Sequence, residues 1–101
     1  MLAGGFHTPK EADEETQSLV NSLLEEIEER LQYKIFDIKV VCYSTQVVAG
    51  INYLVKVQVN EEKFAHIKIA KPLPHTHQPP FVMAVATEGI VIDSPLTPLH
   101  E

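Results

Sequence analysis

The stretch FDIKVVCYSTQVVAGINYLVKVQVNEEKFAHIKIA, residues 36–70, changes side-chain character at every second position and is interrupted only twice. Phe36, Ile38, Val40 and Cys42 alternate with Asp37, Lys39, Val41 and Tyr43. Ile51, Tyr53, Val55, Val57 and Val59 alternate with Asn52, Leu54, Lys56 and Gln58, and Ala65, Ile67 and Ile69 with His66 and Lys68. A period of two belongs to a strand with one buried face. Three strands are therefore predicted, with Cys42 facing the core and His66 facing solvent. Residues 46–50 and 60–63 are too few for a crossover, so successive strands pair antiparallel.

Upstream, Leu19, Val20, Leu23, Leu24, Ile27 and Leu31 recur at the spacing of one helical stripe, which predicts a long amphipathic helix over residues 12–33. It starts either at a capping box, Thr8-Pro9-Lys10-Glu11, or near Asp13. Glu25, Glu26, Glu28 and Glu29 gain nothing from the helix dipole and are expected on an exposed face. Downstream, residues 81–87 read as a further strand, whereas Pro95 and Pro98 argue against regular pairing in the tail. The expected fold class is α+β: one long N-terminal helix packed on an antiparallel four- to five-stranded sheet. With 101 residues, 45% of them hydrophobic, the chain suits one domain over residues 1–101, with residues 1–7 as an arm.

Composition narrows the function. Fourteen acids against eight bases give a net charge of −6. Residues 1–33 hold eight acids and two bases and residues 34–101 six of each, so no basic stripe is left for phosphates. No nucleic acid partner is expected. No apolar run nears the roughly 18 residues of a membrane span, and the N-terminus lacks a basic leader, so a cytoplasmic protein with no membrane partner is expected. Cys42 is the single cysteine, which excludes an internal disulfide. No Gly-rich phosphate loop, His-Glu-x-x-His or paired-cysteine motif occurs, and His75 and His77 have no recognisable third ligand. No catalytic residue, metal or cofactor is expected. A thiol enzyme using Cys42 would need an accessible thiol of lowered pKa, which a core cysteine does not supply.

Alternating strand direction brings residues 46–50 and 71–80 to one end of the sheet and residues 60–63 to the other. The helix returns from the polar end, so its start and residues 1–6 join the first two segments. All three are apolar where water is expected: Val47, Val48 and Ala49 at one tip, Leu73 between Pro72 and Pro74 at the next, and Met1, Leu2, Ala3, Gly4 and Gly5 as an arm. Either valine alone would be read as folding back on the core. Three such segments at one end point instead to a surface that a partner covers. It is narrow, and proline stiffens it at residues 72, 74, 79 and 80, so a groove suits it better than a flat surface.

Gln46-Val47-Val48-Ala49-Gly50-Ile51-Asn52-Tyr53 resembles the Gln-Val-Val-Ala-Gly-x-Asn-Tyr signature of the cystatin superfamily, inhibitors of papain-like cysteine proteases. Gly4-Gly5, Leu24-Glu25-Glu26, Val55-Lys56-Val57, His66-Ile67-Lys68 and Leu73-Pro74-His75 extend the resemblance over residues 4–76. The absence of Trp and of disulfides makes the chain similar to stefins, the type 1 cystatins, rather than to type 2. The resemblance implies a cystatin-like fold and reversible, tight, noncovalent inhibition by occlusion of the active-site cleft of a cathepsin L-, B-, H- or S-like enzyme. It implies that Leu2, Ala3, Gly4 and Gly5 line one side of that cleft, with Gly4 near the catalytic cysteine. Gln46, Val47, Val48, Ala49 and Gly50 form the first hairpin contact, and Leu73, Pro74 and His75 the second. A monomer is expected, with a dimer swapped about residues 47–49 as the alternative. Residues 76–101 depart from the family pattern, which bears on selectivity. The competing expectation is a cystatin-fold binding module with a non-protease partner, since fold alone does not determine function.

Overall fold

A computed structural model describes residues 6–96. A two-residue strand β1 (Lys10–Glu11) precedes helices α1 (Glu14–Ser22) and α2 (Leu24–Leu31). Strands β2 (Ile38–Val48), β3 (Gly50–Val59), β4 (Lys63–Pro72) and β5 (Phe81–Ala86) follow. All pair antiparallel in the order β1-β2-β3-β4-β5. Val20, Leu23 and Ile27 meet Ile38, Val40, Tyr53, Val55, Val57, Ile67 and Ile69 in one core between helix and sheet.

The single long helix of the sequence reading is divided at Leu23, whose φ of −109° and ψ of 14° lie off the helical values. Leu23 is buried, and the break keeps Val20, Leu23 and Ile27 all directed at the sheet. Of the two expected starts, the one at Asp13 is real. Its Oδ1 accepts from Thr16 N at 2.7 Å, while Oδ2 accepts from the Tyr43 hydroxyl at 2.5 Å. That phenol and the cap hydrogen bond hold the Asp13 carboxyl below its usual value. The capping box at Thr8 is displaced because Lys10 and Glu11 pair with Tyr43 and Cys42 instead. Glu26 and Glu28 are not merely exposed either. Glu26 accepts from Val82 N at 2.5 Å and Glu28 from Ile35 N at 2.8 Å, and both donors are backbone groups outside the helix.

Two strand assignments change. Phe36 turns outward and is largely exposed, because the Asn60 side chain captures the connector: Oδ1 accepts from Phe36 N at 2.6 Å and Asp37 N at 3.2 Å, and Nδ2 donates to Lys34 O at 2.9 Å. Cys42 does not face the core. The β2–β3 register shifts between Val40 and Cys42, so Cys42 lies opposite Lys56 and is half-buried, while Tyr43 enters the core opposite Val55. A one-residue bulge exchanges the faces of everything beyond it.

The second face of the sheet is covered too. His66, expected in solvent, is 1% exposed and lies opposite Lys56 and Ala86. The chain after β5 crosses this face, and the buried Lys56 ammonium donates to the carbonyls of Ile92 and Ser94. A buried cation needs such acceptors. His66 Nε2 is buried without a hydrogen-bond partner. Desolvation, with the Lys56 charge adding to it, pushes the imidazole below the ordinary histidine value.

Two predictions follow from these side chains. Asn60 has a φ of 52°, which glycine adopts freely, so Asn60→Gly keeps the turn and removes only the side-chain clamp. Urea unfolding should show a loss of about 1–3 kcal/mol, and an unchanged midpoint would remove the clamp from the fold's support. A histidine held neutral in the folded chain leaves stability intact above the unfolded value of about 6.5 and erodes it as pH falls below, until the folded value is passed. Melting temperature should therefore drop between pH 7 and pH 5 less steeply in His66→Gln than in the wild type. Parallel slopes would exclude His66 as the titrating group.

Candidate functional site

Glycine at position 50 decides the geometry of the apolar end. Its φ of 121° is unfavourable for a residue with a side chain, and a Cβ built there would lie 2.6 Å from Lys71 O and 3.1 Å from Pro72 Cα. Both obstacles are backbone. The first hairpin, turning at Ala49, is thereby pressed against the base of the second, and Gly50 pairs with Pro72 across the ladder. Below the tip, Asn52 Nδ2 donates to Gln46 Oε1 at 3.1 Å and ties the two arms of the first hairpin together.

Beyond this tie the side chains leave the core. Val47 is 65% exposed and Val48 46%, and Ala49 is exposed beside them. Neither valine folds back. Leu73, at the second tip, is 40% exposed and leads into a single 3-10 turn, Pro74–Thr76. Thr76 fastens that turn through its backbone N and its hydroxyl, both bonded to Leu73 O, at 3.0 and 2.7 Å. His77 caps the turn in the left-handed region at φ 57°. Pro74 and His75 are exposed.

Leu2, Ala3, Gly4 and Gly5 lie outside the described residues. The chain that follows them is placed: His7 N donates to Thr45 O at 2.8 Å, continuing the pairing of Lys10 with Tyr43. Residues 7–11 therefore run antiparallel to β2, and the chain comes in from the side of Val47 and Val48. The described residues of the expected site thus share one end of the sheet, with the N-terminal segment arriving beside them. The Asn60 turn closes the opposite end.

Some residues of this end escaped the sequence reading. Asn52 was legible as a strand and signature residue, but its bond to Gln46 was not. Phe81, 44% exposed, and Gln78 are others: with Val48, Ala49, Ile51, Asn52, Ala70, Lys71 and Pro72 they line an open cleft of about 190 Å³ between the hairpins. Phe81 was legible only as a strand residue, since its outward side depends on its register opposite Ala70.

The remaining reactive groups do not assemble. Among the described residues no three His, Cys, Asp or Glu side chains come close enough to hold a metal ion. Cys42 and His66 share a face of the sheet, but β3, with Lys56, stands between them. Two strand spacings are roughly 10 Å, far beyond the reach of a general base to its nucleophile.

Comparison with known proteins agrees with this geometry. The family described as Cystatin domain matches residues 4–85. Stefin-C of Bos taurus is 37% identical over 87 residues, which cover 86% of either chain. Cystatin-A of Felis catus is 40% identical over 74 residues, 73% of this chain and 76% of its own. Leukocyte cysteine proteinase inhibitor 1 of Sus scrofa is 37% identical over 79 residues, 78% of this chain and 77% of its own.

The hairpin contact predicts an asymmetry between two glycines with positive φ. Gly89 has a φ of 72° and nothing within 4 Å of a Cβ, whereas Gly50 meets backbone. Gly50→Ala should cost about 1–3 kcal/mol in urea unfolding and separate the tips, and Gly89→Ala should cost less. Equal costs would show that the hairpins yield at position 50.

Proposed function

The chain belongs to the cystatin family, as a stefin-type member among cysteine protease inhibitors, and from that premise we propose that it inhibits papain-like cysteine proteases by reversible, noncovalent occlusion of the active-site cleft. The observation that carries this reading is the apolar edge of Val47, Val48, Ala49 and Leu73, held out in water on two hairpins locked together at Gly50.

The edge suits a cleft in three respects. Exposed apolar side chains gain about 25 cal/mol for each Å² of apolar surface removed from water. The hairpins are already ordered by the Gly50 contact, the Asn52–Gln46 bond and the Thr76 turn, so little conformational entropy is lost on docking. Val47 and Val48 are also bound into a β-ladder with Ile51 and Gly50, so the tip presents side chains and backbone together rather than an extended segment of substrate. The tip enters as a wedge and excludes substrate without offering a bond for cleavage.

On this reading Leu2, Ala3, Gly4 and Gly5 reach one side of the cleft, with Gly4 near the catalytic cysteine. Gln46 to Gly50 cover the centre, and Leu73, Pro74 and His75 the other side. A contact of ordinary size would bury roughly 800 Å² on each partner. The proposed enzymes are cathepsin L-, B-, H- or S-like, met in the cytoplasm by a monomer with no catalytic step of its own.

Titration of active papain and of a cathepsin L-like enzyme, followed with a small fluorogenic substrate, tests this directly. Tight, reversible inhibition is expected, weakened when residues 1–5 are removed. Val48→Asp buries an unpaired carboxylate in the interface and should weaken inhibition more than about hundredfold, with melting temperature unchanged because the tip lies outside the core. No inhibition of either enzyme at micromolar concentration would sink the reading in favour of a different partner.

A further inference from the structure

The residues beside the two tips carry more than support for them. Phe81 opens β5 opposite Ala70, on the same face of the sheet as Gln46 and Asn52. That face is covered further along by the chain that bonds Lys56, yet Phe81 remains 44% exposed. A half-exposed phenylalanine beside the buried Ala70 leaves apolar surface in water next to the exposed Val48 tip.

Its neighbourhood has a definite shape. Phe81 and the Val48–Ala49 tip share the cleft of about 190 Å³, whose lining also includes Ala70 and Pro72. An apolar cavity of about 150 Å³ takes up a benzene ring, so this gap has room for one large apolar side chain. Among the described residues Lys71 is the only ionisable group lining it, and none of the lining side chains is a carboxylate. The cleft is continuous with the exposed edge, because Val48 and Ala49 belong to both.

We propose that Phe81 and this cleft form an additional, selectivity-setting contact, in which an apolar side chain on the rim of the protease cleft inserts between Phe81 and the Val48–Ala49 tip. This rests on the inhibitory reading given above. It assigns a role to the first residue of β5, which lies inside the span 4–85 matched by the Cystatin domain although the sequence after His75 was expected to depart from the family pattern. Rims differ between proteases more than the reacting groups do, so an enzyme with a large apolar rim residue is held by one more side chain than an enzyme without it.

The test compares inhibition constants of the full chain for papain and a cathepsin L-like enzyme across four variants, with circular dichroism and melting temperature measured on each. Phe81→Ala should weaken inhibition about tenfold for at least one of the two enzymes, through faster dissociation, and so change the ratio between them. Gln78→Trp, at an exposed position, fills the cleft while Phe81 itself is unaltered and should change that ratio as well. Glu29→Ala, at an exposed position of α2 away from the cleft, should leave both constants within about twofold. Unchanged constants in both Phe81→Ala and Gln78→Trp would overturn the proposal, even if Phe81→Ala melts lower. Val48→Asp serves as reference: wild-type inhibition that Val48→Asp abolishes and that Phe81→Ala and Gln78→Trp both leave intact removes only the Phe81 contact, whereas a wild type that inhibits neither enzyme removes the inhibitory reading and this contact with it.

Discussion

At the apolar end the two hairpins meet at a point that leaves no room for a side chain. Gly50 stands there: a Cβ at this position would lie 2.6 Å from Lys71 O and 3.1 Å from Pro72 Cα. Gly50 also begins β3, the central strand, which pairs with β2 on one side and β4 on the other. The contact therefore couples the tip geometry directly to the best-buried part of the molecule, where Val55, Val57 and Val59 are inaccessible to solvent. An error in the relative position of the tips would have to propagate into this strand, and close-packed interiors resist such shifts. The apolar edge is rigid for that reason, although its own side chains pack on little.

The two ends of the sheet divide the work. At one end Asn60 satisfies two backbone N–H groups and one carbonyl of the connector, and Glu28 satisfies Ile35 N. Polar side chains there complete the backbone bonding that short connections leave open. At the other end the open positions carry valine and leucine, which complete nothing within the chain. The polar end and the core thus use their side chains within the chain, whereas the tip side chains are held in place by backbone contacts beneath them and pack on little.

How much of this was legible in the sequence depended on whether a single phase of the alternation held. In β3, Tyr53, Val55, Val57 and Val59 keep one phase from end to end, and the reading was right. In β2, Val40-Val41-Cys42-Tyr43 offers an apolar or aromatic residue in either phase, so nothing in the pattern marks the bulge that sends Cys42 outward and Tyr43 inward. Lys56 and His66 misled for a different reason. Polar residues in the outward phase ordinarily mean solvent, and only the path of the chain after β5, whose carbonyls meet the Lys56 ammonium, reverses that meaning. Of the apolar end, the tips and their common side followed from parity alone. The cleft beside Phe81 did not, because it exists only through the pairing of β5 with β4 and the close approach at Gly50.

An exposed apolar edge is a hazard as well as a tool, since β-branched residues on unpaired surface invite association with other chains. The charge distribution opposes this. The chain carries −6, and its acidic excess lies in residues 1–33, on and around the helices rather than on the tips. Two copies approaching edge to edge meet like net charge, while Val47, Val48, Ala49 and Leu73 carry no charge themselves. Placing charge on the tips would suppress self-association equally well, but every such charge would have to be stripped of water when the edge is covered, at a cost of several kcal/mol. Keeping repulsion at the helices lets the apolar surface at the hairpins remain uncharged.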